Sequence, residues 1–350
     1  MTKKVSVGNI FIGGGESVKI QTMSDVRTTD TDKIIEQIEE VSSLGCDLFR
    51  VAVKNFDDAK AIKEIKKRTK MPLVADIHFD YKLGIEAINN GVDKIRINPG
   101  NIGSEANVKA LAEVIKANNV AVRVGSNTGS IEREYLEKYG KNAVSLAESA
   151  LNKVSILEKY GIENIVISAK ASSTALTTEA YRYLSQKTNY PLHLGVTEAG
   201  TLENGIVKSS VAIGALLLDG IGDTIRVSLT APITQEVITA KRILRAVGLD
   251  KNYAEIISCP TCGRTAWDLH ALVKEVEAFT AKYDKPIKIA VMGCVVNGPG
   301  EAKDCDIGIA GGDGKCVIFT KGQVYKTVAF GEHTQEFLSE IEKIYNEKHI

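Results

Sequence analysis

Four residues near the end of the sequence have the types and spacing of a metal-binding set. Cys259 and Cys262 form a Cys-x-x-Cys pair, in which one short turn presents two thiolates to the same ion. Cys294 follows, and Glu301 comes seven residues after it, across an Asn-Gly-Pro-Gly segment. The proline inside the pair and the Gly-Pro-Gly segment favour the tight, non-helical backbone that wraps around an ion.

Three thiolates and one carboxylate make an unusual donor set. Iron–sulfur clusters normally take four cysteine thiolates, and structural zinc takes four cysteines or a mixture of cysteine and histidine. An oxygen ligand in the fourth position suits a cluster with one iron that is open to a substrate oxygen. The residues therefore favour an iron–sulfur cluster. Zinc remains the alternative, because a single Cys-x-x-Cys pair is common to both kinds of site.

A second set of polar residues lies at the ends of short apolar segments earlier in the chain. Residues two apart in a strand point to one side, so Asp76 and His78 point together, as do Arg96 and Asn98. Arginines inside a sheet are unfavourable unless they are paired or face a ligand, and their planar fork suits phosphate. A substrate with two phosphates is predicted. The set is Arg50, Asp76, His78, Arg96, Asn98, Arg123, Asn127, Lys170, Glu198, Arg226 and Ser228.

Some of these residues have a second interpretation. Asp76 and Glu198 would neutralise arginines if the set were an ion-pair layer, but the acids are too few for the whole set. His78 fits a structural histidine as well as a catalytic one. Lys170 fits a Schiff-base lysine, although contact with a phosphate or carboxylate is preferred. The remaining cysteines, Cys46, Cys305 and Cys316, are interpreted as spare thiols, and Cys46 and Cys316 as packing residues.

The segments that carry the polar set alternate between strand and helix. Apolar residues recur every three or four positions between short β-branched runs, which predicts a parallel sheet. Eight such units over about 230 residues predict a closed (β/α)₈ barrel, whose active site lies at the C-terminal ends of its strands. The competing topology is an open doubly wound sheet, but such a sheet usually has fewer strands, so the barrel is preferred. The predicted strands are Val18–Thr22, Leu48–Val53, Leu73–Ile77, Lys94–Asn98, Val120–Val124, Asn164–Ser168, Leu192–Thr197 and Thr224–Ser228.

The barrel is predicted to be the first of two domains. Residues Val5–Val18 alternate like a hairpin with a Gly8-Asn9 turn, which we expect to cover the bottom of the barrel. A linker at Gly248–Tyr253 places the domains at 1–252 and 253–350, and the second is predicted to be α+β. Its predicted elements are helix Ala266–Lys282, strands Ile287–Met292, Asp306–Ala310, Val317–Thr320 and Val324–Ala329, and helix Thr334–Lys348.

The composition is that of an ordinary globular enzyme. The chain has 44 basic and 44 acidic residues, 44% hydrophobic residues and 25% charged residues. A net charge of zero argues against nucleic acid or a membrane surface as a partner. The longest apolar run, near Ala212–Leu218, is shorter than the roughly 20 residues of a membrane-spanning helix. Six cysteines without a secretory signal indicate reduced thiols and a cytoplasmic protein.

Taken together, these motifs resemble those of the bacterial 4-hydroxy-3-methylbut-2-enyl diphosphate synthases of the non-mevalonate isoprenoid pathway. The resemblance spans nearly the whole chain, without the extra middle domain of the plant-type forms. The segments that carry it are Val74–Asp80, Arg96–Gly103, Ser258–Arg264 and Met292–Glu301.

The resemblance implies a [4Fe–4S] cluster held by Cys259, Cys262, Cys294 and Glu301. It implies reductive ring opening, with loss of water, of 2-C-methyl-D-erythritol 2,4-cyclodiphosphate, with flavodoxin or ferredoxin as electron donor. It also implies a homodimer in which the cluster domain of one chain closes over the barrel of the other. The implied substrate-binding residues are Arg50, Asp76, His78, Arg96, Asn98, Arg123, Asn127, Lys170, Arg226 and Ser228.

Glu198 corresponds to the acidic residue that faces the cluster in this family. The hypothesis is that Glu198 donates the proton that turns the leaving hydroxyl into water, and that Glu301 gives way to a substrate oxygen.

Two other function classes remain open from the residues alone. One is a zinc-stabilised barrel hydrolase or pterin-binding transferase acting on a phosphorylated small molecule. The other is a non-catalytic cluster sensor, which would leave the arginine-lined pocket unexplained.

Overall fold

The computed structural model describes residues 1–265, 267–295, 300, 302–312 and 314–349. The chain divides into two compact units, Met1–Leu249 and Asp250–Ile350. Each unit has an apolar core of its own. No helix within the described ranges is both long enough and apolar enough to cross a membrane.

The first unit begins with a hairpin that covers one end of the barrel. Strands β1 (Val5–Val7) and β2 (Ile10–Ile12) pair in antiparallel fashion around Gly8, whose φ of +57° favours glycine. Buried hairpin residues pack on the inward-facing side chains of four barrel strands, which confirms the predicted cover. The packed residues are Val5, Val7, Ile12, Leu48, Val74, Ala121 and Val166.

Eight parallel strands form a nearly closed (β/α)₈ barrel, as predicted. The hydrogen-bonded order is β8-β7-β6-β5-β4-β3-β10-β9, and a bridge from Ile167 to Leu192 joins the two ends. The strands are β3 (Lys19–Met23), β4 (Leu48–Val53), β5 (Leu73–Ile77), β6 (Lys94–Arg96), β7 (Ala121–Asn127), β8 (Ile165–Lys170), β9 (His193–Leu194) and β10 (Thr224–Ile225).

Helices surround the barrel and bury their apolar faces against the strands. In the first of them, the buried residues Ile34, Ile35, Ile38 and Val41 repeat at the helical period. The helices are α1 (Thr31–Ser43), α2 (Phe56–Arg68), α3 (Tyr81–Asn89), α4 (Glu105–Asn118), α5 (Arg133–Tyr139), α6 (Ala143–Glu158), α7 (Thr174–Lys187), α8 (Leu202–Leu218) and α9 (Ile233–Ala246).

Three barrel strands, β6, β9 and β10, are shorter than predicted. β6 ends at Arg96, and Asn98 accepts a hydrogen bond from the Gly100 amide at 3.2 Å, which begins a 3-10 turn at Pro99–Asn101. Proline lacks the amide that a ladder needs, so the strand cannot continue through it. β9 and β10 also end before their predicted limits, whereas β7 and β8 extend beyond theirs.

The second unit is a five-stranded sheet with two described helices. The strand order is β11-β12-β13-β14-β15, in which the first three strands are parallel and the last two pairings are antiparallel. The elements are β11 (Ala254–Ser258), α10 (Leu269–Thr280), β12 (Ile287–Met292), β13 (Ile307–Gly311), β14 (Lys315–Thr320), β15 (Gln323–Ala329) and α11 (His333–His349).

Two features of the second unit differ from the prediction. β11 was not predicted, because this edge strand is only partly buried and its sequence lacks a strong apolar pattern. α10 is shorter than the predicted helix at both ends. It begins at Leu269 because the Asp268 side chain accepts a hydrogen bond from the Ala271 amide at 3.0 Å and caps the helix there. The first residue of the predicted helix, Ala266, lies outside the described residues.

Candidate active site

The barrel interior holds more basic than acidic side chains. Burial and the positive charges of Arg123, Arg226, Arg50 and Arg96 lower the pKa of Lys170, which indicates that these groups lie close together. Asp76 and Glu236 are the carboxylates that pair with this group. The basic residues are Arg50, Lys94, Arg96, Arg123, Lys170 and Arg226.

Asp76, His78 and Arg96 form one hydrogen-bonded cluster, in which Asp76 pairs with an arginine as the ion-pair interpretation expected. Arg96 Nη1 donates to Asp76 Oδ1 at 3.2 Å, and His78 Nε2 lies 3.4 Å from Asp76 Oδ2 and 2.7 Å from Arg96 Nη1. Burial alone would raise the pKa of Asp76. The hydrogen bond with His78 and the charges of the surrounding arginines outweigh burial, and the pKa is lowered. Asp76 is therefore ionised and holds the Arg96 guanidinium and the His78 imidazole in place.

Arg226 is paired with Glu236, which the sequence analysis did not identify. Its Nη2 donates to Glu236 Oε1 at 3.0 Å. Glu236 also accepts from the Thr22 hydroxyl at 2.8 Å and from the Leu229 amide at 3.0 Å. These bonds hold the segment after β10, where Arg226 and the partly buried Ser228 lie, against α9.

Arg50 and Arg123 keep donors available for a ligand. Arg50 directs Nε and Nη2 at the weak acceptor Met23 Sδ, at 2.9 and 2.7 Å. Burial, opposed by Asp76 and reinforced by Arg226 and Arg96, lowers the pKa of Arg50 to about 10. Arg123 is 3% exposed, and its Nε has no hydrogen-bond partner among the described residues. A buried guanidinium with unmet donors suits an anionic ligand.

Lys170 lies at the end of β8, next to a glycine in the segment after β9. A Cβ on Gly195 would be 2.7 Å from Lys170 Nζ and 2.6 Å from the Arg226 carbonyl oxygen. The absence of a side chain at position 195 therefore makes room for the ammonium group. Lys170 is 6% exposed and has the position expected for a residue that contacts a bound anion.

Asn98 lies in the turn after β6, and Asn127 is the last residue of β7, where the next turn begins. Asn98 is buried, and the Asn127 amide donates to Ser130 Oγ at 3.0 Å. Behind them, the buried Lys153 of α6 bonds to Glu132 Oε1 and Ser149 Oγ, both at 3.0 Å, and to Ser126. This network fixes the turn that carries Asn127.

Glu198 is exposed on the loop after β9. Its φ of +54° is unusual for a residue with a side chain, and the exposed Phe79, on the loop after β5, has a φ of +66°. Strained residues of this kind concentrate at functional sites. Both residues with this strained backbone lie on loops at the C-terminal end of the barrel, where the active site of such a fold lies.

Several polar residues of the barrel interior were not predicted from the sequence. Lys94 lies two residues before Arg96 on β6 and points inward with it, and His193 on β9 and Gln21 on β3 are also buried in the barrel interior. The two-residue alternation that selected Arg96 also selects Lys94. Glu236 carries a different signal, because it falls on the buried face of α9 between Ile233 and Val237.

In the second unit, the cysteines lie on loops that leave neighbouring strands at the same end. β11 and β12 are parallel, with Ser258 opposite Val291, so Cys259 emerges beside Gly293. The Gly293 amide donates to Cys259 Sγ at 3.0 Å, and Cys294 comes next in the chain. Cys259 and Cys294 are partly buried, and Cys262 is exposed. The sheet thus brings the two cysteine loops together.

The donor chemistry fits an iron–sulfur cluster. Three unpaired thiols on adjoining loops supply soft ligands, and an amide already donates to one of the sulfurs, as amides do around iron–sulfur clusters. Within the described ranges, no group of three or more His, Cys, Asp or Glu side chains is arranged to hold a metal ion. The predicted fourth ligand, Glu301, lies outside those ranges.

The remaining cysteines are buried in apolar surroundings, as predicted for Cys46 and Cys316. Burial raises the pKa of Cys46 to about 12 and that of Cys316 to about 11. Cys305 is 3% exposed, and burial raises its pKa as well. These thiols are therefore protonated and unreactive at neutral pH.

The fold and the site together define a two-domain barrel enzyme. Its (β/α)₈ barrel has a cationic interior, and its smaller α+β domain carries three cysteines on adjoining loops. The family model of the GcpE TIM-barrel domain matches residues 2–241, and that of the GcpE protein C-terminal domain matches residues 255–343. The chain belongs to the GcpE family.

Curated relatives share about half of their residues with this chain. A protein from Caldanaerobacter subterraneus subsp. tengcongensis is 54% identical over 349 residues, which cover 99% of this chain and 98% of the relative. A protein from Clostridium acetobutylicum is 51% identical, over 98% of this chain and 99% of its own. Both are named 4-hydroxy-3-methylbut-2-en-1-yl diphosphate synthase (flavodoxin).

Solved structures of distant proteins share the barrel. The dihydropteroate synthase of Yersinia pestis superposes with a TM-score of 0.53 at 12% identity, over 71% of this chain and 98% of its own. That of Stenotrophomonas maltophilia gives a TM-score of 0.51 at 16% identity, over 70% of this chain and 97% of its own. At these identities the likeness concerns the fold alone.

Proposed function

We propose that this protein catalyses the reductive ring opening of 2-C-methyl-D-erythritol 2,4-cyclodiphosphate to 4-hydroxy-3-methylbut-2-enyl diphosphate. The observation that carries the proposal is the excess of buried basic groups over carboxylates in the barrel. A ligand with two phosphates would balance that excess. The names of the full-length relatives support the same product.

The barrel residues bind and orient the diphosphate. Arg50, Arg123 and Lys170 donate charge-assisted hydrogen bonds to its oxygens, and they stabilise the negative charge that is released when the ring opens. Two further arginines also donate hydrogen bonds to the diphosphate, from fixed positions. Asp76 and His78 hold Arg96, and Glu236 holds Arg226. Asn98, Asn127 and Ser228 supply neutral contacts at the same end of the barrel.

Glu198 is the proton donor of the proposal. Its exposed carboxyl group lies on the loop after β9, in a segment whose left-handed backbone at Glu198 is unusual for a residue with a side chain. In the reaction, a hydroxyl group leaves as water when two electrons enter the substrate, and a proton from Glu198 completes that water molecule. The carboxylate must then be reprotonated from solvent, to which it is open.

Cys259, Cys262, Cys294 and Glu301 would hold a [4Fe–4S] cluster. When bound, the cluster supplies the two electrons one at a time. The Gly293 amide, which donates to Cys259 Sγ at 3.0 Å, offsets negative charge on that sulfur. Glu301 would be the harder and more exchangeable of the four ligands, since a carboxylate binds iron less firmly than a thiolate does.

The proposal also includes the partners and location of the protein. Flavodoxin is the electron donor in the names of the relatives, and ferredoxin is the other candidate. The active form is a homodimer in which the cluster domain of one chain closes on the barrel of its partner. A cytoplasmic location is in keeping with all six cysteines being unpaired.

Metal analysis of protein purified without oxygen tests the proposal first. About four irons and four acid-labile sulfides per chain, with a brown colour, are expected for a [4Fe–4S] cluster. Such protein should convert the cyclic diphosphate with a chemical or flavodoxin reductant. A colourless protein that contains zinc and cannot be reconstituted with iron would overturn the redox mechanism.

The role of Glu198 has its own test. Glu198→Gln should leave the iron content and visible spectrum unchanged and should abolish turnover, because the amide cannot donate the proton. Cys259→Ser is the matched comparison, since it should lose the cluster itself. Full turnover by Glu198→Gln would show that another group supplies the proton.

A further inference from the structure

Trp267 is the only tryptophan of the chain, and the proposed function gives it no role. It is partly buried in the second unit, five residues after Cys262 and two residues before α10 begins at Leu269. Its indole Nε1 donates a hydrogen bond to the Gly293 carbonyl oxygen at 3.2 Å. The indole is therefore attached to the loop that carries Cys294.

The end of the five-stranded sheet leaves space for this indole. β12 and β13 are parallel, with Met292 opposite Ala310, so Gly293 and Gly311 come next on the two strands at the same level. A Cβ on Gly311 would overlap the indole of Trp267 at Nε1. The absence of a side chain at position 311 therefore allows the indole to reach Gly293.

The indole ring also packs on the turn between β15 and α11. The Phe330 ring lies 6.4 Å from it between centroids, with 27° between the ring planes, and the His333 ring meets it edge-on at 5.5 Å. Trp267 and Phe330 both pack against the apolar core of the second unit. These contacts fix the orientation of the indole and hence the direction of its N–H.

Gly293 bonds to both ends of the segment that carries the Cys-x-x-Cys pair. Its amide donates to Cys259 Sγ at 3.0 Å, and its carbonyl oxygen accepts from Trp267. Between these ends, the Thr265 amide donates to the Cys262 carbonyl oxygen at 2.9 Å, and Thr265 Oγ1 accepts from the Cys262 amide at 3.4 Å. The segment is thus closed into a loop on the residue that precedes the third cysteine.

We propose that Trp267 is a positioning residue of the metal site, which acts through Gly293. The indole bond holds Gly293 where its amide reaches Cys259 Sγ, and it keeps the two cysteine loops in one relative position. Amides that donate to the sulfurs raise the reduction potential of an iron–sulfur cluster, because they stabilise its more negative, reduced state. The presence of a cluster rests on the proposed function, whereas the indole bond would affect any metal held by the same thiols.

Two substitutions around the indole separate its N–H from its packing. Trp267→Phe removes the N–H and keeps an aromatic ring. Phe330→Leu is the matched control, because it removes packing from the same indole and leaves the N–H bond in place. Both should lower the Tm, and only Trp267→Phe should alter the metal site. If Trp267→Phe does not fold, benzothienylalanine carries the same test. This analogue has sulfur in place of the N–H, and it replaces one residue only in a chain with one tryptophan.

The first measurements use protein reconstituted with iron and sulfide in the absence of oxygen. A chelator should remove iron from Trp267→Phe about fivefold faster than from wild type, which corresponds to the loss of one hydrogen bond. The midpoint potential of Trp267→Phe should be more negative than that of wild type, and Phe330→Leu should match wild type in both measurements. An unchanged rate or potential in Trp267→Phe, or equal changes in the two variants, would overturn the proposal.

Cobalt(II) separates a failure of this inference from a failure of the proposed function. Its thiolate charge-transfer absorption reports binding to the metal-free protein, and the Kd should be about fivefold higher for Trp267→Phe than for wild type. If wild type binds cobalt with this difference but forms no cluster, the proposed function is wrong and the positioning role stands. If wild type forms the cluster but does not convert the cyclic diphosphate, the proposed substrate is wrong and the positioning role again stands. If wild type binds neither metal, both fail.

Discussion

Asp76 shows how one buried carboxylate organises the residues around it. It accepts from Arg96 and interacts with His78, and the surrounding cations keep its pKa below the ordinary value despite burial. A carboxyl group with a lowered pKa stabilises the fold above its unfolded-state pKa of about 3.9. That stabilisation disappears as the pH falls through the folded-state value.

Replacing Asp76 with Asn should therefore destabilise the protein in a pH-dependent way. At pH 7 we expect a loss of about 3 kcal/mol in the free energy of unfolding, because the variant leaves Arg96 without its charged partner among other cations. The difference between variant and wild type should shrink as the pH is lowered below about 4. Urea unfolding at a series of pH values measures it. A difference that stays constant down to pH 2 would contradict the role given to Asp76.

At the same scale, the sequence identified the residues at the barrel mouth better than those beneath them. Strand alternation predicted that Asp76 and His78 point to one side of their strand, and their side chains are in contact. The bond from Arg96 on the neighbouring strand was not predicted. Lys94 has the same alternation but was treated as part of an apolar strand, since burial of an unpaired lysine is unfavourable and not expected from sequence. Glu236 was missed because its partner, Arg226, is on another element, and only the fold brings the two together.

At the scale of elements, the arrangement of the cysteines depends on how two strands end. β11 was not predicted from sequence, yet its pairing with β12 is what places Cys259 beside Gly293. The pattern failed there because an exposed edge strand carries little apolar alternation. The barrel strands were predictable because their outward faces carry buried apolar residues and recur between amphipathic helices along the chain.

Gly293 should be essential for metal binding because of the space around it. A Cβ at this position would lie 2.6 Å from Thr265 Oγ1 and 3.3 Å from Cys259 Sγ. The Gly293 carbonyl also accepts from Trp267 Nε1 at 3.2 Å, so the loop cannot shift freely. We expect Gly293→Ala to lose most of its iron, as measured by metal analysis after anaerobic purification.

Gly263 is the matched control for that substitution. It adjoins Cys262, but a Cβ there would meet nothing within 4 Å. Gly263→Ala should therefore keep its iron. The double variant Gly293→Ala, Thr265→Ala should regain part of what Gly293→Ala loses, since it removes the nearer clash. Equal iron loss in both single glycine variants would mean that general loop flexibility, and not this contact, governs metal binding.

At the scale of the whole molecule, the net charge conceals the site. The chain is neutral, with 44 basic and 44 acidic residues, although the barrel interior has a surplus of cations. The remainder of the protein must therefore carry a matching surplus of acids. The composition argued against polyanionic partners. It could not reveal a small anionic ligand, because only folding separates the cations of the barrel interior from the acids elsewhere in the chain.

The two units should also separate as folding units. Their apolar cores are distinct, one formed by the barrel and its helices and the other by the five-stranded sheet with α10 and α11. A fragment of residues 1–249 should unfold cooperatively and bind the cyclic diphosphate, yet contain no iron, because Cys46 is its only cysteine. Circular dichroism, calorimetry and metal analysis of the fragment measure these three properties. A fragment that folds but does not bind the diphosphate would mean that the barrel residues are not sufficient for the substrate site, and a fragment that fails to fold would show that the barrel core depends on the second unit.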